Sequence, residues 1–345
     1  MQNTEIENKQ KIDFLAIGDI VTDAFIKLQD AETYCDLDKE GCKLCMRFGD
    51  KVPYESVTVC HAVGNSANAS VAAAKLGLHS SLLAVVGNDA EGQVCLETLK
   101  NNKVDTTYIN TDLNLPTNYH YVLWYGTDRT ILIKHAEYAR SMPNNLPEIG
   151  WVYLSSLGQN TESFHHEIAQ YVASHPETKL AFQPGTFQMS LGTEKLKALY
   201  ENTEIFFCNK QEAEKILNQK ENLPNTGIAD IKNLIQKLHE LGPKKVVMTD
   251  GINGLYASDG QNIYSLPMYP DIAPPVERTG AGDATSSTIV SAMAIGKTFE
   301  EALLYGPING MNVVQHIGAQ AGLLPLSKIE DYLQNAPAEY KLTKI

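Results

Sequence analysis

Apolar segments of two kinds alternate along most of the chain. Short runs rich in branched and aromatic residues predict strands, and longer stretches with apolar residues at three- to four-residue spacing predict helices. Regular alternation of the two predicts a mostly parallel sheet with helices on both faces, an α/β fold. The predicted strands are 14–20, 81–86, 151–154, 180–183, 204–208 and 245–249, and the predicted helices are 67–76, 92–101, 161–174, 192–201, 210–218 and 228–241.

Two segments interrupt the alternation. Residues 27–60 are long and polar, and residues 117–135 alternate like a pair of antiparallel strands, as at Tyr119, Tyr121 and Leu123. Neither segment fits a strand-and-helix unit of the main sheet. They predict a small separate β structure.

Polar residues and glycines follow several predicted strands. Asp23, Asn209, Thr249 and the loop at Gly280 all come after strand candidates. Ligands of parallel sheets bind at the carboxyl ends of the strands. We therefore expect a ligand site at that edge.

The sequence Gly280-Ala281-Gly282-Asp283 opens a helix of small residues. Two glycines before a helix allow consecutive N–H groups to face one anion, and the free amides of the helix start add partial positive charge. A carboxylate beside an anion hole repels phosphate, so its expected role is to accept a proton from an attacking hydroxyl. Alone, the pattern also fits an ordinary helix start.

A second cluster, with Gly64, Asn65 and Asn68, leads into another small-residue helix over residues 67–76. Together, the two clusters resemble the signatures of the ribokinase-like carbohydrate kinases, the PfkB family. The resemblance runs in chain order from about residue 12 to residue 324. It implies a three-layer α/β/α fold with a small β lid over the sugar site, formed near residues 27–60 and 117–135.

The resemblance also implies roles for residues. Asp23, Gly64, Asn65 and Asn68 take the positions that hold the acceptor. Arg129, in the lid, either reaches the acceptor or is an ordinary arginine at a hairpin tip. The Asn209-x-x-Glu212 motif takes the position associated with magnesium and phosphate, acting on Mg²⁺ through water and without direct protein ligands. Contacts to ATP are implied for Thr249, Gly251 and Asn309.

Three departures bear on the substrate and on cations. Val63 stands where the first signature usually has a glycine, and 152–156 offers only serine where ribose kinases carry a substrate glutamate. These differences leave the acceptor open and disfavour a strict ribokinase. Glu277 and Arg278 replace the usual Asp-Thr, which leaves open whether that loop binds a monovalent cation.

Composition limits the class of protein. With 345 residues, 43% of them hydrophobic, the chain can form one large α/β domain with an appendage or two domains. The net charge of −13 argues against a nucleic-acid partner, whose phosphates need basic surfaces. No apolar run approaches the roughly 20 residues of a membrane span, so we expect a cytoplasmic protein. The resemblance divides it into a polar tail (1–11), a kinase domain (12–330) and a C-terminal tail (331–345).

Six cysteines are too few for a disulfide scaffold in a chain of this length. Cys60, Cys95 and Cys208 lie in apolar segments, where buried reduced thiols are usual. Cys42 and Cys45 have the spacing of a zinc-binding pair. With Cys35 they give only three ligands and no certain fourth, so we expect no structural metal.

These observations predict transfer of the γ-phosphoryl group of ATP, with Mg²⁺, to the hydroxyl of a small sugar. A nucleoside acceptor is the alternative, since Tyr119, Tyr121, Trp124 and Tyr125 of the predicted lid can stack on a base. A third possibility is a regulator that binds sugar or nucleotide without catalysis, which the intact Asp283 disfavours. We expect a homodimer formed through the lid, since projecting strands expose edges and apolar faces.

Overall fold

The computed structural model describes residues 10–35, 42–126, 128–218 and 228–345, so most of the predicted N-terminal tail lies outside the described residues. Its strands are β1 (Ile12–Ile17), β2 (Val21–Leu28), β3 (Glu32–Tyr34), β4 (Lys43–Cys45), β5 (Tyr54–Val63), β6 (Ser80–Gly87), β7 (Ile109–Asp112), β8 (Asn118–Tyr125), β9 (Asp128–Leu132), β10 (Ile149–Leu154), β11 (Lys179–Phe182), β12 (Thr203–Asn209), β13 (Lys245–Thr249), β14 (Leu255–Ser258), β15 (Ile263–Leu266) and β16 (Thr343–Lys344).

Helices connect most of the parallel strands. They are α1 (Asn65–Lys75), α2 (Ala90–Asn101), α3 (Glu162–Ser174), α4 (Thr186–Leu191), α5 (Lys197–Glu201), α6 (Lys210–Ile216), α7 (Ile228–Glu240), α8 (Ala281–Ala294), α9 (Phe299–Val313) and α10 (Leu326–Gln334). No helix within the described ranges has both the length and the apolar character needed to cross a membrane.

The main sheet has ten strands in the order β16-β15-β14-β13-β12-β11-β10-β1-β6-β7. Pairing is parallel from β7 to β13 and antiparallel from β13 to β16. Side chains of β1 alternate between two hydrophobic cores: Phe14 and Ala16 join one, and Leu15 and Ile17 join the other. Because both faces of the sheet are covered, the predicted three-layer α/β/α fold is confirmed.

The lid is a separate four-stranded sheet in the order β5-β2-β8-β9, accompanied by the small β3–β4 hairpin. It begins earlier than the predicted residue 27, because β2 starts at Val21. Asp23 therefore lies on a lid strand, paired with β5 and β8, and does not follow a strand of the main sheet. The predicted antiparallel pair in residues 117–135 is β8 and β9.

Two other predicted boundaries were wrong. Gly192 ends α4 with a positive φ of +86° that glycine adopts without strain, and of the helix predicted over 192–201 only α5 forms. The predicted tail from residue 331 begins inside α10, and β16 pairs with β15 at the edge of the main sheet. The first boundary is set locally by Gly192, whereas the second depends on long-range pairing.

His165 is a fully buried histidine beside the main sheet. Its Nδ1 donates to the Thr161 carbonyl at 2.6 Å, and its Nε2 accepts from the Gln188 amide at 2.9 Å. Burial lowers the pKa of His165 from 6.5 to about 4. The neutral ring is therefore the form that the fold stabilises.

We predict that acid destabilises the protein through His165. As pH falls from 6.5 to about 4, the unfolded chain binds a proton that the folded chain excludes, a loss on the order of 3 kcal/mol. Urea unfolding of wild type and His165→Asn across this pH range measures the free energy of unfolding. The free energy should fall less steeply with decreasing pH in the variant than in wild type. His166→Asn, an exposed neighbour on the same helix, is the control. Equal slopes for wild type and His165→Asn would contradict the prediction.

Candidate active site

The Gly280 loop begins α8 at the edge of the main sheet. Gly280 caps the helix with φ +81°, and a Cβ there would lie 2.3 Å from the Cβ of Ala319. A Cβ on Gly282 would meet no atom within 4 Å. The amides of the helix start are thus bordered by open space, the arrangement that the predicted anion hole requires.

The Asp283 carboxylate lies in the first turn of α8 and is buried. Asn65 and Asn68, which lie one turn apart on α1, each donate a 2.8 Å hydrogen bond to it, one to each oxygen. Burial raises the pKa of Asp283, and these amide bonds, with one from Gln183, oppose the rise. The predicted site residues Asn65, Asn68 and Asp283 therefore form one cluster.

Gln183 also belongs to this cluster, although it lies in no motif of the sequence. Its amide donates to Asp283 at 3.3 Å, and its carbonyl oxygen accepts from the Ser286 hydroxyl at 2.9 Å and from the Tyr153 hydroxyl. Gln183 directly follows β11, so its position at a strand end was the available signal. This network fixes the amide that faces the carboxylate.

A cavity of about 380 Å³ adjoins Asp283 and lies between the main domain and the lid. Its charged and titratable lining residues are Asp19, Asp23, Asp283, His120 and His135, with no lysine or arginine in the described lining. Other lining residues come from the first signature, the lid, α4 and the anion-hole loop: Gly64, Asn65, Asn68, Ile131, Ile133, Thr186, Phe187, Gly280 and Gly282. We call it the acceptor cavity.

Asp19, which sequence reasoning missed, anchors the segment that follows the lid. Its carboxylate accepts hydrogen bonds from His135 (3.0 Å), the Gly158 amide (2.8 Å) and the Arg140 guanidinium. Burial opposes ionisation, but the bonds and charges of His135 and Arg140 outweigh it and lower the pKa of Asp19. With every oxygen engaged, Asp19 has a supporting role beside the cavity.

A second cavity, of about 240 Å³, lies on the other side of the α8 start. Predicted nucleotide residues Thr249 and Gly251 line it, together with Ala281 and Gly282. The remaining lining is largely apolar and includes Ile252, Leu255, Met268, Pro275, Pro307, Met311 and Val314. Because Gly282 lines both cavities, they meet at the anion hole.

The structure does not bring Asn309 to this second cavity. Asn309 is fully buried, donates to the Thr288 hydroxyl at 2.7 Å and accepts from the Leu324 amide at 2.9 Å. The Asn309 side chain thus links α9 to α8 and to the segment around Leu324 that follows α9. The neighbouring residues Pro307 and Gly310 line the cavity in its place, which corrects the expected contact.

Asn209 and Glu212 form a reciprocal capping box at the start of α6. The Asn209 side chain accepts from the Glu212 amide, and the Glu212 carboxylate accepts from the Asn209 amide, both at 2.8 Å. Burial raises the pKa of Glu212, and the charge of Asp283 adds to the rise. Glu212 is therefore near enough to Asp283 for the two charges to interact, although neither Asn209 nor Glu212 lines the two cavities.

Arg129, on lid strand β9, faces the loop before the anion hole. Its Nη1 lies 3.8 Å from the buried Glu277 carboxylate, which accepts from the amides of Thr279 at 2.7 Å and Gly318 at 3.2 Å. Arg129 is not among the described residues that line the acceptor cavity. Its expected contact with the acceptor stays a prediction.

The cysteines differ from the expectation of free thiols in one pair. Cys35 and Cys42 form a disulfide, which the zinc-like spacing of Cys42 and Cys45 had not indicated. Cys45 is a free thiol, as are Cys60, Cys95 and Cys208. The described residues contain no cluster of three or more potential metal ligands.

Similar proteins carry the same architecture. The model of the pfkB family of carbohydrate kinases matches residues 26–326. A ribokinase of Bacillus subtilis is 26% identical over 78% of this chain and 87% of its own length. An ATP-dependent 6-phosphofructokinase of Thermoanaerobacterium thermosaccharolyticum is 23% identical over 93% and 94%.

A solved structure of Arabidopsis thaliana ribokinase, complexed with ribose and ATP, matches the fold. Its TM-score is 0.77 at 19% identity, covering 94% of this chain and 99% of that one. At this identity the likeness concerns the fold alone. The family match over most of the sequence establishes that the chain belongs to the pfkB family of carbohydrate kinases.

Proposed function

We propose that this protein transfers the γ-phosphoryl group of ATP to a hydroxyl of a small, uncharged sugar. One observation carries the proposal: the buried Asp283 carboxylate stands at the start of α8, where the acceptor cavity and the second cavity meet. The proposed base and the helix start that would bind an anion thus lie beside two cavities, one for each substrate. Positioning and electrostatic stabilisation are the main contributions that phosphoryl transfer needs from a protein.

Each group at the junction has a defined role. Asp283 accepts the proton of the attacking hydroxyl, and the amides of residues 280–283 stabilise negative charge on the transferring group. Asn65, Asn68 and Gln183 hold the carboxylate in place. Asp23, Gly64, Asn65 and Asn68 line the acceptor cavity and are proposed to hold the acceptor, so the two asparagines have this role in addition to their bonds to Asp283.

The second cavity suits a nucleotide. Thr249 and Gly251 border it, its walls are mainly apolar, and the absence of a side chain on Gly282 leaves room beside the helix amides. Glu212 and Asn209 offer one carboxylate and one amide, a small donor set that fits Mg²⁺ retaining its own water ligands. When bound, Mg²⁺ would neutralise charge on the phosphates of ATP.

The charge of the acceptor cavity supports one class of acceptor over another. Three carboxylates line it against two histidines, without any described lysine or arginine. A phosphate group on the acceptor would be repelled there. This favours an uncharged sugar over a sugar phosphate, although one relative is a phosphofructokinase.

A nucleoside remains the second candidate, with less support than the sequence offered. Of the four lid aromatics proposed to stack on a base, Tyr119 and Tyr121 line a different cavity beside the lid. The Trp124 indole donates to the Gly126 carbonyl and has the Lys27 ammonium over its ring. Phe187 is the aromatic ring that lines the acceptor cavity.

An ATP-consumption screen with Mg²⁺ over sugars, sugar phosphates and nucleosides tests the function. We predict that Asp283→Asn lowers turnover of the best acceptor by roughly 10²–10⁴-fold, the usual contribution of a general base. ATP affinity should stay nearly unchanged, because the carboxylate does not attract phosphate. Turnover at the wild-type rate would exclude Asp283 as the base, and a wild type inactive with every acceptor would favour a non-catalytic regulator.

We predict that removing an amide donor moves the acid limb of the pH–rate profile. The base works only when ionised, so kcat/KM is lost as pH falls through the pKa of Asp283, which burial already raises. In Asn65→Ala the ionised form loses a 2.8 Å hydrogen bond, so the limb should move to higher pH. Ser156→Ala, which changes the cavity wall but removes none of the hydrogen bonds described for Asp283, should leave the limb in place. An unmoved limb in Asn65→Ala would exclude this account of the base.

We further propose a homodimer formed through the lid. Val57 and Val59 of β5 lie on one strand face and are 44% and 40% exposed. Other exposed apolar residues on lid strands are Tyr54, Tyr121 and Leu132. Apolar clusters of this kind on projecting strands commonly mark interfaces.

For this dimer, sedimentation should give about twice the 38.0 kDa chain mass at micromolar concentration. Val57→Asp combined with Val59→Asp should reduce it to the monomer mass, because each charge would lose water at the interface. Ile228→Asp, at an exposed residue of α7, is the matched control and should remain dimeric. A monomeric wild type would refute the proposal.

A further inference from the structure

Polar atoms without partners cluster around the acceptor cavity. Within the described residues, six buried side-chain polar atoms have no hydrogen-bond partner, and three belong to residues that line this cavity. They are Asp23 Oδ1, His120 Nε2 and Thr279 Oγ1. Buried polar groups in proteins are nearly always hydrogen-bonded. Their concentration here indicates that a ligand of the cavity supplies the missing partners.

His120 is held rigidly at this wall. It lies on β8 directly opposite Asp23 of β2 and is 8% exposed. Its ring packs edge-on against His135, with centroids 5.0 Å apart, and its Nδ1 lies 3.3 Å from Asp23 Oδ1, close enough for an ion pair but without the geometry of a hydrogen bond. Nδ1 therefore faces the carboxylate, and Nε2 is the ring atom left for a ligand. The nearby His135 is already committed to Asp19 through its Nδ1.

We infer that His120 is a specificity-determining residue whose Nε2 hydrogen-bonds one hydroxyl of the acceptor, beside a hydroxyl bound by Asp23. The inference rests on the proposed function for the identity of the acceptor. A carboxylate can only accept a hydrogen bond, whereas an imidazole nitrogen accepts or donates according to its protonation. A hydroxyl can do both, so it suits either form of the ring. The Asp23–His120 pair thus recognises two neighbouring hydroxyls of one molecule.

Such a pair selects by leaving its own atoms unpaired when the wrong ligand binds. An acceptor without the hydroxyl at His120 restores the buried, unpartnered Nε2, and sites of this kind reject deoxy analogues strongly. The pair sits on lid strands and does not contact Asp283. Its effect should therefore fall on acceptor binding, with little change in the rate of the chemical step.

Two substitutions separate ligand recognition from a merely structural role. The amide of glutamine reaches about as far as Nε2 of histidine, whereas the amide of asparagine corresponds to Nδ1. If Nε2 binds the acceptor, His120→Gln keeps the contact and His120→Asn loses it. If His120 only orients Asp23 through Nδ1, His120→Asn keeps acceptor binding and His120→Gln weakens it. His61→Asn is the control, because His61 also pairs with a carboxylate, Glu91 at 3.1 Å, but does not line the cavity.

The experiment is calorimetric titration of the full-length protein with D-ribose, D-fructose and adenosine, then with each monodeoxy analogue of the tightest ligand. For wild type we expect one analogue to bind roughly ten- to a hundredfold more weakly because of His120. His120→Asn should bind the parent ligand roughly ten- to a hundredfold more weakly than wild type does. It should bind the parent ligand and the discriminated deoxy analogue with similar affinity. His120→Gln and His61→Asn should stay within about threefold of wild type for both ligands.

Three results would overturn the inference. These are unchanged selectivity in His120→Asn, stronger loss in His120→Gln than in His120→Asn, or no binding of any of the three probes to wild type. If His120→Asn fails to fold, the wild-type analogue series and His120→Gln still decide, since a wild type indifferent to every deoxy position refutes it. Binding without ATP consumption would refute the kinase while leaving the role of His120 intact.

Discussion

The site depends on one buried carboxylate and the amides that hold it. Removing Asp283 from water is unfavourable, and the cost is offset by donors from Asn65, Asn68 and Gln183 and by its place in the first turn of α8. These donors come from α1 and from the end of β11. The packing of α1 and α8 is thus what gives the Asp283 carboxylate its position and buries it, which raises its pKa.

The same packing joins distant parts of the chain at the anion hole. Gly280 contacts Ala319 so closely that no side chain fits between them. Gln320 donates to the Ala62 carbonyl at 2.7 Å and to the Asn68 side chain at 3.1 Å. Both signatures and the C-terminal turn are therefore held in a single hydrogen-bonded unit. A loop shift at residue 319 would reach Asp283 through Asn68.

Local patterns in the sequence were sufficient for the main domain. Buried parallel strands are continuous apolar runs, and the glycine-rich helix starts are visible as motifs, so the fold and the grouping of Asp283 with Asn65 and Asn68 at one site followed from the sequence. Long-range pairing was not visible. The assignment of Asp23 to a lid strand depends on its partners in β5 and β8, and β16 is a strand only because β15 pairs with it.

Long-range contacts also explain why some site residues were missed. His120, His135 and Asp19 carry no motif, and each matters because of what stands opposite it in the folded chain. Asn309 was misplaced for a related reason: a helix presents different faces to the core and to the cavity, and one residue of offset moves a side chain from one to the other. The bond between Cys35 and Cys42 likewise depends on the antiparallel pairing of β3 with β4, which places Tyr34 opposite Lys43, rather than on the Cys42 and Cys45 spacing.

The acceptor cavity is lined by helices and loops of the main domain and by strands of the lid, and among the described strands the two sheets are not paired with each other. The main domain contributes Asp283 and the Gly280 loop, and the lid contributes Asp23, His120 and Ile131. Because lid strands pair among themselves, a substitution on their inner face changes the surroundings of the acceptor without moving the amides that hold Asp283. In the proposed function, the groups assigned to catalysis and the groups assigned to acceptor recognition therefore lie on separate elements of the fold.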